Sequence, residues 1–281
     1  MTVEVISLDA EVMTALESVL DPELDQPITG LGFVRSVAMN AEGVAVHLRL
    51  PTSFCSPNFA YLMVSDAYDA LSMVPGIGRV SVELDDHHDS EKINAGIAGG
   101  LGYRQAFGAE AEDSLEGLRR TFQRKAHLAA MERVCMEMLG RGTWTVEELP
   151  MLELFDLPEN SHKHALQRRR EAIGLPNSPH ARVLVNDRGE SLSMEEVPLR
   201  LRFARTTRIA IEGNAHFCRG LLATRYADTG EAGPDGRSPQ SSPTPGEHHE
   251  GHPAARIRQY ARVRRGAGPQ SEGPIGHRRQ D

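Results

Sequence analysis

Val44-Ala45-Val46-His47-Leu48-Arg49-Leu50-Pro51-Thr52-Ser53-Phe54-Cys55-Ser56-Pro57 begins as an alternation and ends as a loop. Val44, Val46, Leu48 and Leu50 recur at every second position, the period of a strand with one buried face. From Phe59 the period changes: Phe59, Leu62, Met63, Ala67, Ala70 and Leu71 share one face of a helix. Pro51 to Pro57 is therefore a short connection between a strand end and a helix start, and it carries Cys55. There the first helical N–H groups lack intrahelical partners and the positive end of the helix dipole faces the loop. Such surroundings favour a thiolate, the form that attacks electrophiles and binds soft metals. A free cysteine can equally be a small buried hydrophobe. Position alone leaves both readings open.

Upstream, Asp9 is an N-cap candidate for a helix presenting Val12, Leu16, Val19 and Leu20, with Pro22 as its stop. Asp21-Pro22-Glu23-Leu24-Asp25 follows, an acidic turn whose carboxylates serve turn chemistry and solubility, or point at a metal or partner. Ile28-Thr29-Gly30-Leu31-Gly32-Phe33 leads into a strand, Phe33 to Met39, and Asn40-Ala41-Glu42-Gly43 reads as a hairpin turn into Val44–Leu50. Downstream, Val74-Pro75-Gly76-Ile77-Gly78 is a turn and Arg79–Leu84 alternates as a third strand. The order is helix, strand, strand, helix, strand. It predicts a small α+β domain of about ninety residues, with helices on one face of a three-stranded sheet.

Asp21-Pro22-Glu23-Leu24, then Ile28-Thr29-Gly30-Leu31-Gly32-Phe33-Val34, then Pro51-Thr52 with Cys55-Ser56, stand in the order seen in one family. The chain resembles the iron–sulfur assembly factors of the domain-of-unknown-function fifty-nine, or MIP-eighteen-like, family over roughly residues 8 to 108. His88-Asp89-Ser90-Glu91-Lys92-Ile93-Asn94 resembles the segment after the last strand in eukaryotic members. The resemblance implies a non-enzymatic accessory role in iron–sulfur cluster assembly or metalloenzyme maturation. Cys55 would then be the transient ligand of iron or a cluster, and Asp21, Glu23 and Thr52 functional neighbours. Ser56 separates Cys55 from Pro57, whereas many bacterial members have proline directly after the cysteine. The loop is also one residue shorter than in the eukaryotic form.

One thiolate does not hold a cluster, which usually takes four cysteine ligands. Cys55 would need its copy from a homodimer partner, another ligand such as His87 or His88, or a residue of a client. His87 and His88 lie among Asp85, Asp86 and Asp89, but adjacent residues of an extended segment point to opposite sides, so both on one ion is not expected. A solvated polar loop accounts for them as well. The glycine-rich Ile93–Gly102 lacks the lysine and Ser/Thr ending of a P-loop and reads as a linker or loosely packed segment.

From residue 109 to 228 the pattern predicts a mainly helical, partner-binding region. A long helix capped by Asp113 or Ser114 runs through Leu139, with Cys135 in its core stripe, and Gly140 and Gly142 end it. A short helix restarts at Thr143–Leu149, where Thr145 and Glu148 have capping-box spacing. Asn160-Ser161 caps a helix His162–Ile173 that carries Arg168-Arg169-Arg170, the best case for a DNA-binding regulator built on residues 143–175. Ala181–Val185 reads as a strand, Ser193 as the cap of a helix starting at Met194, and Ile209 to Leu222 as a last helix. Residues 229–281 are poor in large apolar residues and rich in Gly, Pro, Ser, His and Arg, the composition of a basic disordered tail.

With 281 residues, 40% hydrophobic and 25% charged, and a mean hydropathy of −0.39, the composition is that of a soluble globular chain. No apolar run reaches the ~20 residues of a membrane span, and Met1–Ile6 lacks a secretory signal pattern. Three cysteines are too few for a disulfide framework and fit a reducing cytoplasm. A net charge of −8 argues against a general nucleic-acid binder. The first expectation is an assembly accessory protein whose partners are a client metalloenzyme or iron–sulfur assembly proteins. The rival from another class is a protein–protein adaptor in which Cys55 is structural.

Overall fold

Ser7, not Asp9, caps the first helix: its side chain accepts from the Ala10 N–H, and α1 runs Leu8–Glu17. The helix stops there because Ser18 turns its own hydroxyl onto the Ala15 carbonyl, four residues before Pro22. The computed structural model describes residues 7–108, 111 and 115–227, all within one compact unit, Met1–Pro239. The expectations placed on Asp113, Ser114 and the tail from residue 229 fall outside the described residues.

Two short strands absent from the sequence reading, β1 (Leu20–Asp21) and β2 (Gln26–Pro27), pair antiparallel and close the acidic turn into a tight hairpin. The main sheet is as expected: β3 (Val34–Asn40) and β4 (Gly43–Leu48) form an antiparallel hairpin, and β5 (Arg79–Leu84) joins β4 in parallel. The strand order is β3-β4-β5. Parallel pairing requires a crossover, supplied by α2 (Pro57–Ser72), so the Cys55 loop is the entry to that crossover. Val44, Val46 and Leu48 bury their side of β4 against Val64, Ala67 and Leu71 of α2 and Val12 and Leu16 of α1 in one cluster. Each fully buried aliphatic side chain there contributes about 1.5–3 kcal/mol.

The glycine-rich stretch is not a linker. Ser90–Ala98 is a helix, α3, with Ile93 and Ile97 buried in the same core, followed by α4 (Tyr103–Phe107). A glycine is needed at 96 because an added Cβ would stand 2.8 Å from the Ala106 Cβ. Helix formation won here because the apolar face is intact and the glycines cluster at its end.

Helix α5 (Leu115–Gly140), α6 (Ser161–Ala172) and α7 (Val197–Arg225) build the helical region. Asn160 caps α6 by accepting from the Lys163 N–H. Three expectations are corrected. Residues 143–149 form a turn into a 3-10 helix, Leu149–Met151, although Thr145 and Glu148 do bond each other. Residues 181–185 make only isolated bridges, Glu153 to Arg182 and Val185 to Ser191, so no strand forms. The two helices expected after Ser193 are one 29-residue helix beginning at Val197 with Pro198 in its first turn, where a missing N–H costs nothing.

Helix α7 belongs to two cores. Val197 and Ala204 pack with Leu128, Met131 and Leu166 of the helical region, whereas Ala215, Leu222 and Tyr226 enter the N-terminal core. Among the described residues no helix is long and apolar enough to cross a membrane.

Candidate functional site

The Cys55 loop is held by its own side chains and by the segment after β5. Thr52 Oγ1 accepts from the Phe54 N–H at 3.2 Å and lies 3.5 Å from Cys55 Sγ. The His88 N–H donates to the Ser53 carbonyl at 2.9 Å. His87 Nε2 lies 2.8 Å from the Cys55 carbonyl, and its Nδ1 accepts from the Asp89 N–H at 3.1 Å. Because Nδ1 must accept, Nε2 carries the proton and donates. Both ring nitrogens of His87 are thus committed to holding the loop. His88 is exposed, with its ring 5.8 Å from that of Phe54, itself 81% exposed at the loop tip.

Cys55 is half-buried, packed against the N-terminal core one residue before the N-cap Ser56 of α2. Ser56 makes no side-chain capping bond. Asp21 is buried, and its Oδ1 accepts from the Glu23 and Leu24 N–H groups at 2.9 and 2.8 Å. Burial outweighs those two bonds and raises its carboxyl to about 6. Asp25, at φ 54°, pairs with Arg169 at 2.6 Å, and Glu23 accepts from Asn214 at 3.3 Å. The acidic turn therefore grips α6 and α7.

Sequence reasoning missed α7's part in this region. Arg225 donates to the Leu50 carbonyl at 2.9 Å, Ser53 Oγ at 2.8 Å and the Asp86 carbonyl at 2.5 Å. Arg219 donates to Gln26 at 2.7 Å. Cys218, next to Arg219, is half-buried and packed on the same core as Cys55. Burial, with Asp21, the Cys55 sulfur and Glu23 adding negative potential, pushes the Cys218 thiol up to about 11. Cys135, by contrast, is fully buried in the helical core, and its thiol is pushed up to about 12. Arg169 and Arg170 also turn inward: the first pairs with Asp25, and the second, 1% exposed, donates to the Pro176 and Arg182 carbonyls.

The iron–sulfur cluster assembly protein family matches residues 9–84, the segment that holds the acidic turn, the sheet and the Cys55 loop. The likeness lies in this N-terminal segment. An "Iron-sulfur cluster carrier protein" of Mycobacterium tuberculosis is 34% identical over 85 residues, covering 30% of this chain and 22% of that protein. Its Mycobacterium leprae counterpart is 35% identical over 86 residues, with the same coverage. The match thus spans less than a quarter of these relatives. An uncharacterized protein of Methanocaldococcus jannaschii is 29% identical over 85 residues, which are 30% of this chain but 87% of that protein. No solved structure matches the chain. The assembly domain offers Cys55 as its loop thiol, and among the described residues no three His, Cys, Asp or Glu side chains converge as a metal cage.

Proposed function

We propose that this protein is a non-enzymatic carrier or accessory factor that holds iron or an iron–sulfur cluster transiently and passes it to a client, with Cys55 as a cargo ligand. The observation that supports the reading best is the position of Cys55. Its half-buried thiol stands at the entry to α2 inside an iron–sulfur assembly domain, in a loop fixed by His87, Thr52 and Arg225. A loop so held presents its sulfur without reorganisation, which keeps the ordering cost of capture low. Residues 109–228 are then the client- or partner-binding region, the client being a metalloenzyme or an assembly protein.

The test is anaerobic reconstitution with iron and sulfide, followed by absorption spectra and bound-iron assays on wild type and Cys55→Ser. A cluster in wild type that is lost in the variant is the expected result. Equal loading of both would sink the role of Cys55. The rival adaptor reading draws on the packing of Cys55 against the apolar core. It requires Cys55→Ser to leave client binding and client activity unchanged.

A further inference from the structure

The face of α7 that meets the assembly domain is marked by buried Ala215 and Leu222, seven residues and two turns apart, with Cys218 between them. Two grips fix that face over one region. Asn214 and Arg219 hold Glu23 and Gln26 at 3.3 and 2.7 Å, and Arg225 holds Leu50 and Ser53 at 2.9 and 2.8 Å. Cys218 lies within the first grip, between Asn214 and Arg219, and Arg225 follows two turns further along the same helix. Cys55 lies two residues beyond Ser53 and packs on the same core as Cys218. The two thiols are 163 positions apart in sequence.

We propose that Cys55 and Cys218 form one two-thiol site, so that a soft metal or cluster is held between the assembly domain and α7. The inference rests on the reading of Cys55 as the cargo thiol and adds the ligand that a lone thiolate lacks. Residues 9–84 do not contain Cys218, so the second donor comes from outside the family's segment. Neighbouring thiolates are the preferred donors of soft cations. Asp21 and Glu23 beside Cys218 add negative potential that favours a cation over an anion. Either thiol gives up its proton as the metal arrives, so no oxidant or reductant is needed.

The probe that decides the pairing is phenylarsine oxide, which condenses with two neighbouring thiols. Two S–H bonds and the arsenic–oxygen bond give two As–S bonds and one water, with no change of oxidation state. Native mass spectrometry of the full chain should show one such adduct in wild type and in Cys135→Ala. Cys55→Ser and Cys218→Ser should each weaken capture by about a hundredfold or more, because each loses the second, intramolecular bond. An adduct that survives intact in Cys218→Ser, or fails to form in wild type, overturns the two-thiol site. Iron and sulfide loading of the same variants separates this inference from the reading beneath it. Loading lost in Cys218→Ser as in Cys55→Ser supports the shared site. Loading lost only in Cys55→Ser overturns it while leaving Cys55 a cargo ligand. An arsenical captured by both thiols in a protein that loads no iron supports the soft-metal site and removes the iron–sulfur cargo.

Discussion

Replacing Asp21 with asparagine should stabilise the protein at neutral pH. Burial holds the Asp21 carboxyl at about 6, against 3.8 for an ordinary aspartate. A group whose folded value is raised favours folding below its unfolded value and loses that advantage as pH rises through the folded value. Above about pH 6 the charged carboxylate therefore costs about 3 kcal/mol, at 1.36 kcal/mol per pH unit of displacement. Asparagine keeps an oxygen at the Oδ1 position to accept from the Glu23 and Leu24 N–H groups and brings no charge. Its expected gain is about 2–3 kcal/mol at pH 8, falling below about 1 kcal/mol by pH 4. In a folded unit of this size that raises Tm by about 4–12 °C at pH 8. Urea unfolding of wild type and Asp21→Asn at both pH values measures the difference. A gain that does not change with pH, or a loss at pH 8, refutes the assignment of the cost to buried charge. A second readout is the Cys218 thiol, which loses one negative neighbour in the variant and should react with iodoacetamide faster at a given pH.

Gly43→Ala should destabilise by about 3 kcal/mol or more, since its Cβ would stand 1.9 Å from the Arg79 carbonyl oxygen at φ 153°. Gly76→Ala, at φ 75° with nothing within 4 Å, should cost less than half of that, and equal losses by denaturant would contradict the contact. Arg225→Ala removes donors to Leu50, Ser53 and Asp86 and should loosen the Cys55 loop by about 2–3 kcal/mol. Hydrogen exchange at the His88 amide and alkylation of Cys55 should then quicken by about thirtyfold or more; unchanged rates would show that Arg225 does not hold the loop. Burial lowers His127 to about 4, so the stability it confers above pH 6.5 is lost as pH falls toward 4. His127→Leu should flatten that part of the stability profile, and an unaltered profile would count against the burial argument.

The assembly domain was legible because its signals are local. The period-two run Val44, Val46, Leu48 and the Asn40–Gly43 turn need no distant information, and the bounds Arg79–Leu84 match the strand. The errors lie where two local signals compete. Glycines at 96, 99, 100 and 102 masked the apolar pair Ile93 and Ile97 that makes α3 a packed helix. Val183 and Leu184 read as strand residues because they stand in a short apolar run, yet they pack as irregular chain between single bridges. Cys55, Asp21, Glu23 and Thr52 could be named from motif order. His87's place could not, because its role is a bond to a main-chain carbonyl 32 residues away. Cys218 enters the sequence reading only as one of three cysteines. A lone cysteine between Phe217 and Arg219 carries no signal until α7 is laid against the β1–β2 turn.

The bond from Arg225 to Ser53 joins residues 172 apart, and this separation has a consequence during synthesis. At roughly 5–20 residues per second, about 10–35 s pass between translation of Ser53 and translation of its clamp. On each new molecule, then, the Cys55 loop emerges bare before α7 exists to meet it. The nascent chain presents that loop without its Arg225 clamp, and the clamped form arises only after α7 has been made.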